Sequence, residues 1–192
     1  MEINQIYLDE INKLTEKFTE QKMEVFLGGG FSIDGYLGRF TRSHGDLDVD
    51  IVGQLPWKEG YQLVKTVLEE IYLIKIFEKR GHWVIKDDQK EIEVEYVQEI
   101  EKDKTYRFHE GELSFDLPFY LRSGGRIGKQ TFNIENPHFA VAIKLLNPIA
   151  GKGFREKDRQ DLNLLLPKLD QKSILYTLRY QLDYLEKFSL PN

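Results

Sequence analysis

The sequence contains no cysteine. That absence excludes disulfides, thiolate zinc sites and cysteine nucleophiles together. No apolar run approaches the roughly eighteen residues that a membrane-spanning helix requires. The opening Met1-Glu2-Ile3-Asn4 lacks the basic and apolar regions of a signal peptide, so the expected compartment is the cytoplasm. There is no internal repeat, no low-complexity tract and no linker long enough to divide the chain. Positive charge is in deficit: 27 Lys/Arg against 32 Asp/Glu leave a net −5. A general nucleic-acid binder needs a basic surface for its phosphate contacts, so neither nucleic acid nor membrane is an expected partner.

What is present suits one globular domain with a helical extension. At 192 residues the chain can bury a real core, and its 41% hydrophobic and 31% charged fractions are those of a soluble protein. Charge is unevenly divided. Residues 1–103 hold 13 Lys/Arg against 22 Asp/Glu, whereas residues 104–192 hold 14 against 10. Metal-binding carboxylates in one half and phosphate-neutralising bases in the other would produce this split, as would solvated helix faces.

Periodicity predicts an amphipathic helix over 4–21, a buried strand from Met23 to Leu27, and a second helix from Phe31 to Leu37 ended by Gly38. A polar loop, Arg39 to Gly45, leads into a strand on which Asp46, Asp48 and Asp50 alternate with Leu47, Val49 and Ile51. A helix over Trp57–Leu73 and strands at 74–77, 83–86 and 91–97 come next. A mixed, aromatic stretch over 104–130 contains a turn at Ser123–Gly128. Three helices close the chain, near 137–146, 156–166 and 172–188. The expected class is α+β, a mixed sheet flanked by helices, with residues 1–130 as the catalytic domain and 131–192 as a helical region packed on it.

One constellation carries chemistry. Residues i and i+2 of a strand share a face, so Asp46 and Asp48 project together as oxygen ligands for a hard cation such as Mg2+. The acidic strand Glu91-Ile92-Glu93-Val94-Glu95 offers Glu93 or Glu95 as a third carboxylate, a ligand or a base for an acceptor hydroxyl. The Gly28-Gly29-Gly30 turn leads into a helix whose free N–H groups and positive end suit a phosphate, and Ser32 adds a hydroxyl nearby. A glycine triplet is by itself more often a tight turn, and an acidic alternating strand more often a wet sheet surface. In this order, together, they read as a site for metal-assisted phosphoryl chemistry on a nucleoside triphosphate.

The run Gly29-Gly30-Phe31-Ser32-Ile33-Asp34, followed by Leu37-Gly38-Arg39-Phe40-Thr41-Arg42-Ser43-His44-Gly45-Asp46-Leu47-Asp48, resembles the signature of the lincosamide and aminoglycoside-2''-type nucleotidyltransferases, which share the DNA polymerase β-like core. Arg155-Glu156-Lys157-Asp158-Arg159-Gln160-Asp161-Leu162 is similar to that family's late Lys-Asp-x-x-Asp helix. The resemblance implies Mg2+-dependent transfer of a nucleoside monophosphate, usually AMP from ATP, to a hydroxyl of a small antibiotic, with pyrophosphate released. It implies Asp46 and Asp48 as metal ligands and places Glu93 where the family has its third aspartate, ligand or general base. Glu95 matches the aminoglycoside-type acidic position, suited to a cationic acceptor.

Around these, Gly29, Gly30, Ser32, Arg42 and Lys144 are candidates to hold the triphosphate. Arg42 and Arg39 equally suit carboxylates that would fix the loop. His44 has no histidine partner at ligand spacing, which favours loop packing, and Asp34 reads as structural. Asp50 shares the face of Asp46 and Asp48 and is as well placed to pair with a base. Tyr96, Tyr106, Phe108 and Tyr120 are available for stacking, but such aromatics are core more often. Two rival functions stand beside the main one: a minimal nucleotidyltransferase of the antitoxin type that modifies protein or RNA, and a silent member that binds nucleotide. A monomer or a homodimer fits either way.

Overall fold

The computed structural model describes residues 2–72, 76–79, 81–101, 105–110, 113–118, 123–148 and 153–189. Helix α1 (Glu2–Glu20) turns Tyr7, Ile11, Leu14 and Phe18 inward, a helical stripe, and leaves its acidic and basic side chains mostly in water. Strand β1 (Glu24–Leu27) runs to Gly28 and into helix α2 (Gly29–Leu37), which Gly38 ends in the left-handed conformation at φ 77°. Helix α2 therefore starts two residues earlier than its apolar pattern predicts, because glycines carry no hydrophobic signal. After the polar loop come β2 (Leu47–Gly53), α3 (Trp57–Ile71), β3 (Ile76–Lys79), β4 (His82–Lys86) and β5 (Glu91–Glu101). Leu73, Ile74 and Lys75, placed by sequence at the end of a helix and the start of a strand, lie outside the described residues.

The mixed stretch resolves into β6 (Thr105–Glu110), β7 (Leu113–Pro118) and β8 (Ser123–Ile127), and β9 (Gln130–Ile134) follows as a sheet strand where the expected helical region was to begin. The expected turn at 123–128 is corrected here. Ser123-Gly124-Gly125-Arg126-Ile127 is an edge strand, and the reversal falls at Gly128, φ 62°. Gly125 has no side chain because Ile134 and helix α2 pack where one would stand; an added Cβ would lie 2.5 Å from the Ile134 side chain. Helices α4 (Pro137–Leu146), α5 (Glu156–Leu165) and α6 (Gln171–Ser189) follow, with Pro167 in a short 3-10 turn after α5.

The sheet runs β3-β4-β5-β2-β1-β9-β8, with the β6–β7 hairpin attached to the far end of β5. β2 pairs antiparallel with β1 and parallel with β5. Leu47, Val49 and Ile51 of β2 join Val25 and Leu27 of β1 and Ile92, Val94 and Tyr96 of β5 in a core that includes α1 and α3. On the opposite face Phe26, Val52 and Val97 pack with Tyr106, Phe108 and, from α4, Phe139. Strand alternation therefore turns Asp48 and Asp50 to the side where α4 lies. Tyr96, Tyr106 and Phe108 are buried in these cores, and Tyr120 lies outside the described residues.

Candidate active site

The backbone brings the glycine turn and the acidic strand into contact. Gly28 N–H donates to the Asp48 carbonyl at 2.9 Å, extending the β1–β2 ladder by one rung. Gly29 takes φ 51°, and a Cβ there would fall 1.9 Å from Asp48 Oδ2. Only a glycine lets the Asp48 carboxylate lie over the turn. A Cβ on Gly30 would meet His44 Nδ1 at 2.5 Å and Arg42 Nη2 at 2.6 Å. The first turn of α2 is thus enclosed by Asp48, His44 and Arg42.

The parallel β2–β5 register sets Asp48 opposite Glu93 and Asp50 opposite Glu95. Asp46 stands just ahead of β2, with its carboxylate 40% exposed and 3.3 Å from Lys157 Nζ. Burial first, then the charges of Asp46 and Glu93, push the Asp48 carboxyl up to about 6. Burial and the charge of Asp48 raise Asp50 as well. Glu93 is open, at 41% exposure, with His82 Nε2 4.0 Å away, and Glu95 is half-buried opposite His82.

The remaining candidates are placed as follows. Ser32 is fully buried, and its hydroxyl donates to the Gly29 carbonyl at 2.8 Å, closing the first turn of α2. Arg42 lies against a carboxylate: Nε and Nη2 are each 3.4 Å from Asp161 of α5. Lys144 is buried between Asp158 at 3.1 Å and Asp161 at 2.9 Å. Arg155 makes a fork to Asp158 at 2.7 and 2.9 Å. Burial opposes ionisation of Asp158, but the bonds from Arg155 and Lys144 outweigh it and hold the carboxyl down at about 2. The late helix that the sequence marked is therefore the counter-charge for two of the candidate phosphate ligands.

His44 packs the loop, as expected. Its Nε2 lies 2.6 Å from Asp34 Oδ2, while Asp34 Oδ1 accepts from the Thr41 N–H at 3.0 Å and hydroxyl at 2.6 Å. Sequence reasoning missed Glu135. This buried residue follows β9, and its carboxylate accepts the Gly29 N–H. Burial, then Asp50 and Asp48, raise it well above the carboxylate range. No motif marks it, since parallel β1–β9 pairing alone delivers it.

The donor set fits a hard divalent cation, since every candidate ligand is a carboxylate oxygen and Asp48, whose carboxyl is raised first by burial and then by Asp46 and Glu93, would gain from a neighbouring positive charge. Among the described residues no three ligating side chains are already gathered around one point. Mg2+ does not demand that, because one or two carboxylates plus substrate phosphates ordinarily hold it.

The model of the aminoglycoside-2''-adenylyltransferase family matches residues 10–165 of the chain. The chain belongs to this family. Over 54 residues it is 37% identical to 2''-aminoglycoside nucleotidyltransferases of Escherichia coli and of Klebsiella pneumoniae. That match covers 28% of this chain and 29% of each relative, so the chain spans less than a third of the curated relatives it matches. Among solved structures the fold is similar to that of the antibiotic-resistance factor ANT(2'')-Ia, with TM-score 0.69, 17% identity and 97% of both chains covered. It is also similar to the lincosamide antibiotic adenylyltransferase LnuA, solved with lincomycin bound, with TM-score 0.63, 19% identity and coverage of 86% of this chain and 96% of that one. The α+β class and the family resemblance read from residues 29–48 are both upheld.

Proposed function

We propose that this family member is a divalent-metal-dependent nucleotidyltransferase, transferring AMP from ATP to a hydroxyl of a small antibiotic. The observation that carries the reading is Asp48 against the glycine turn of α2, with Asp46 two residues before it and Glu93 in register beside it. In this reading Asp46, Asp48 and Glu93 would hold Mg2+, and the ion would supply stabilisation of the negative charge that develops in the transfer. The Gly30 N–H, at a positive helix end, receives phosphate oxygens, and Arg42 and Lys144 supply compensating positive charge. Glu93, the open carboxylate, takes the proton of the acceptor hydroxyl. The freed oxygen attacks the α-phosphorus, the bond to the β-phosphate oxygen breaks, and pyrophosphate departs. Glu95, two residues along the same face, meets a cationic acceptor. We favour an aminoglycoside on that ground and on the likeness to the 2''-aminoglycoside enzymes.

Helices α4 and α5, which follow β9, then form the helical wall that supplies Lys144, Asp158 and Asp161. Among the described residues no helix is long and apolar enough to cross a membrane, and we place the reaction in the cytoplasm, where nucleoside triphosphates are supplied. The test is pyrophosphate release from ATP, GTP, CTP or UTP with Mg2+, across a panel of aminoglycosides and lincosamides, with the product weighed by mass spectrometry. The expected product is an antibiotic heavier by one nucleoside monophosphate, lost in Asp48→Asn. No turnover with any acceptor, or equal turnover in Asp48→Asn, refutes the reading.

A further inference from the structure

Helix α1 contributes no residue to the chemistry just described, yet its inward face touches both chain segments that carry it. Tyr7 is fully buried. Its hydroxyl donates to the Gly45 carbonyl at 2.9 Å and accepts from the Glu91 N–H at 3.3 Å. Gly45 is the residue before Asp46, and Glu91 opens β5 two residues before Glu93. A single oxygen thus joins the loop that bears one carboxylate to the strand that bears another. One turn earlier on α1, Asn4 is buried and holds the same loop: its amide donates to the Arg42 carbonyl at 2.9 Å and accepts from the His44 N–H at 3.1 Å. The ring of Tyr7 meets Phe31 of α2 edge-on at 5.5 Å, and Phe31 in turn lies on His44 at 4.4 Å.

Asp46 needs such a support. It lies outside the β2 ladder, so no strand hydrogen bond within that ladder fixes its distance from β5. We infer that Tyr7 is a positioning residue that sets the spacing between Asp46 and Glu93, with Asn4 anchoring the loop behind it. The inference rests on the reading of Asp46, Asp48 and Glu93 as metal ligands. Outer partners that orient ligands commonly change metal affinity by about 10- to 100-fold when removed, and a hydroxyl acting through backbone groups belongs near the lower figure.

The experiment is Mn2+ binding to the full chain, followed by loss of the free-ion electron paramagnetic resonance signal. Wild type should bind, and Asp48→Asn should bind far more weakly. Tyr7→Phe should weaken Mn2+ by about tenfold and raise the Mg2+ concentration for half-maximal activity in proportion. Tyr72→Phe is the matched control. It deletes another buried tyrosine hydroxyl bonded to α1, at 2.6 Å from Glu10 Oε2, and leaves the Tyr7 and Asn4 hydrogen bonds to both carboxylate segments in place. Its Mn2+ affinity should equal wild type. Failure of wild type to bind, or equal binding by Asp48→Asn, overturns the ligand reading and this inference with it. With those two controls as expected, wild-type affinity in Tyr7→Phe overturns the inference alone. So does an equal loss in Tyr72→Phe, which would mark a general loosening of α1. Should Tyr7→Phe lack the native circular dichroism spectrum, Asn4→Ala decides: weakened Mn2+ binding supports the inference and unchanged binding overturns it.

Discussion

Asp48 is the most electrostatically burdened residue with a proposed role. The folded protein keeps its proton up to about pH 6, whereas an unfolded chain releases it near about pH 4. Between those values the native state binds more protons, so this residue makes stability fall as pH rises through the window, by at most about 1.4 kcal/mol per pH unit. A cation that needs the ionised carboxylate should therefore stabilise the protein more at pH 7 than at pH 5. Thermal denaturation with and without Mg2+ at both values checks this, and a larger Mg2+ shift at pH 5 would contradict it. Glu93 and Glu95 separate by kinetics. Glu93→Gln should lower kcat by about 10²- to 10⁴-fold and flatten the acid limb of the pH–rate profile, since the titrating base is gone. Glu95→Gln should chiefly raise KM for a cationic acceptor. An exchanged pattern would exchange the roles. Asp46 stands one residue ahead of the strand it was expected to open, whereas the meeting of Asp48 with the glycine turn was legible because local spacing on one strand and one turn defines it. Glu135 and the pairing of Arg42 with Asp161 were not, because they meet only through sheet order and helix packing.

At the scale of elements, the start of α2 is the tightest junction. A Cβ on Gly30 would press on His44 Nδ1, and that ring cannot retreat easily because Asp34 holds its far nitrogen at 2.6 Å. Gly30→Ala should cost about 1–3 kcal/mol as an overpacked site. It should also raise KM for the nucleotide more than KM for the acceptor, since the displaced groups line the helix end. Equal changes in both constants would indicate general damage instead. The helices and the first five strands followed from apolar period, but β6, β7, β8 and β9 did not, and β8 shows why. Its Ser-Gly-Gly-Arg run has turn composition, and it becomes a strand because β9 offers a ladder and α2 leaves room only for glycine at 125.

Over the whole molecule, the C-terminal helices are wired to the first half of the chain by charge. Lys144 joins α4 to α5 through Asp158 and Asp161, and Asp161 reaches back to Arg42. Lys144→Met removes the central cation but leaves Arg155 and Arg42 in place. It should cost about 3 kcal/mol, the low end for breaking a buried ion pair. Urea unfolding measures this, with fluorescence and far-ultraviolet circular dichroism expected to shift together as one transition. Two separated transitions would mean that the helices unfold independently of the sheet.

The parallel pairing of β1 with β9 imposes an order of events during synthesis. β1 leaves the ribosome early and can pair at once with β2 on one side. Its other edge has no partner until Gln130–Ile134 has emerged, more than a hundred residues later. Throughout that interval a nascent chain displays an open strand edge ending in the glycine turn, the kind of edge that templates association between chains. Polypeptides that stop short of residue 134 should accumulate as aggregates rather than as partly active enzyme, and the cell meets this risk at every round of translation.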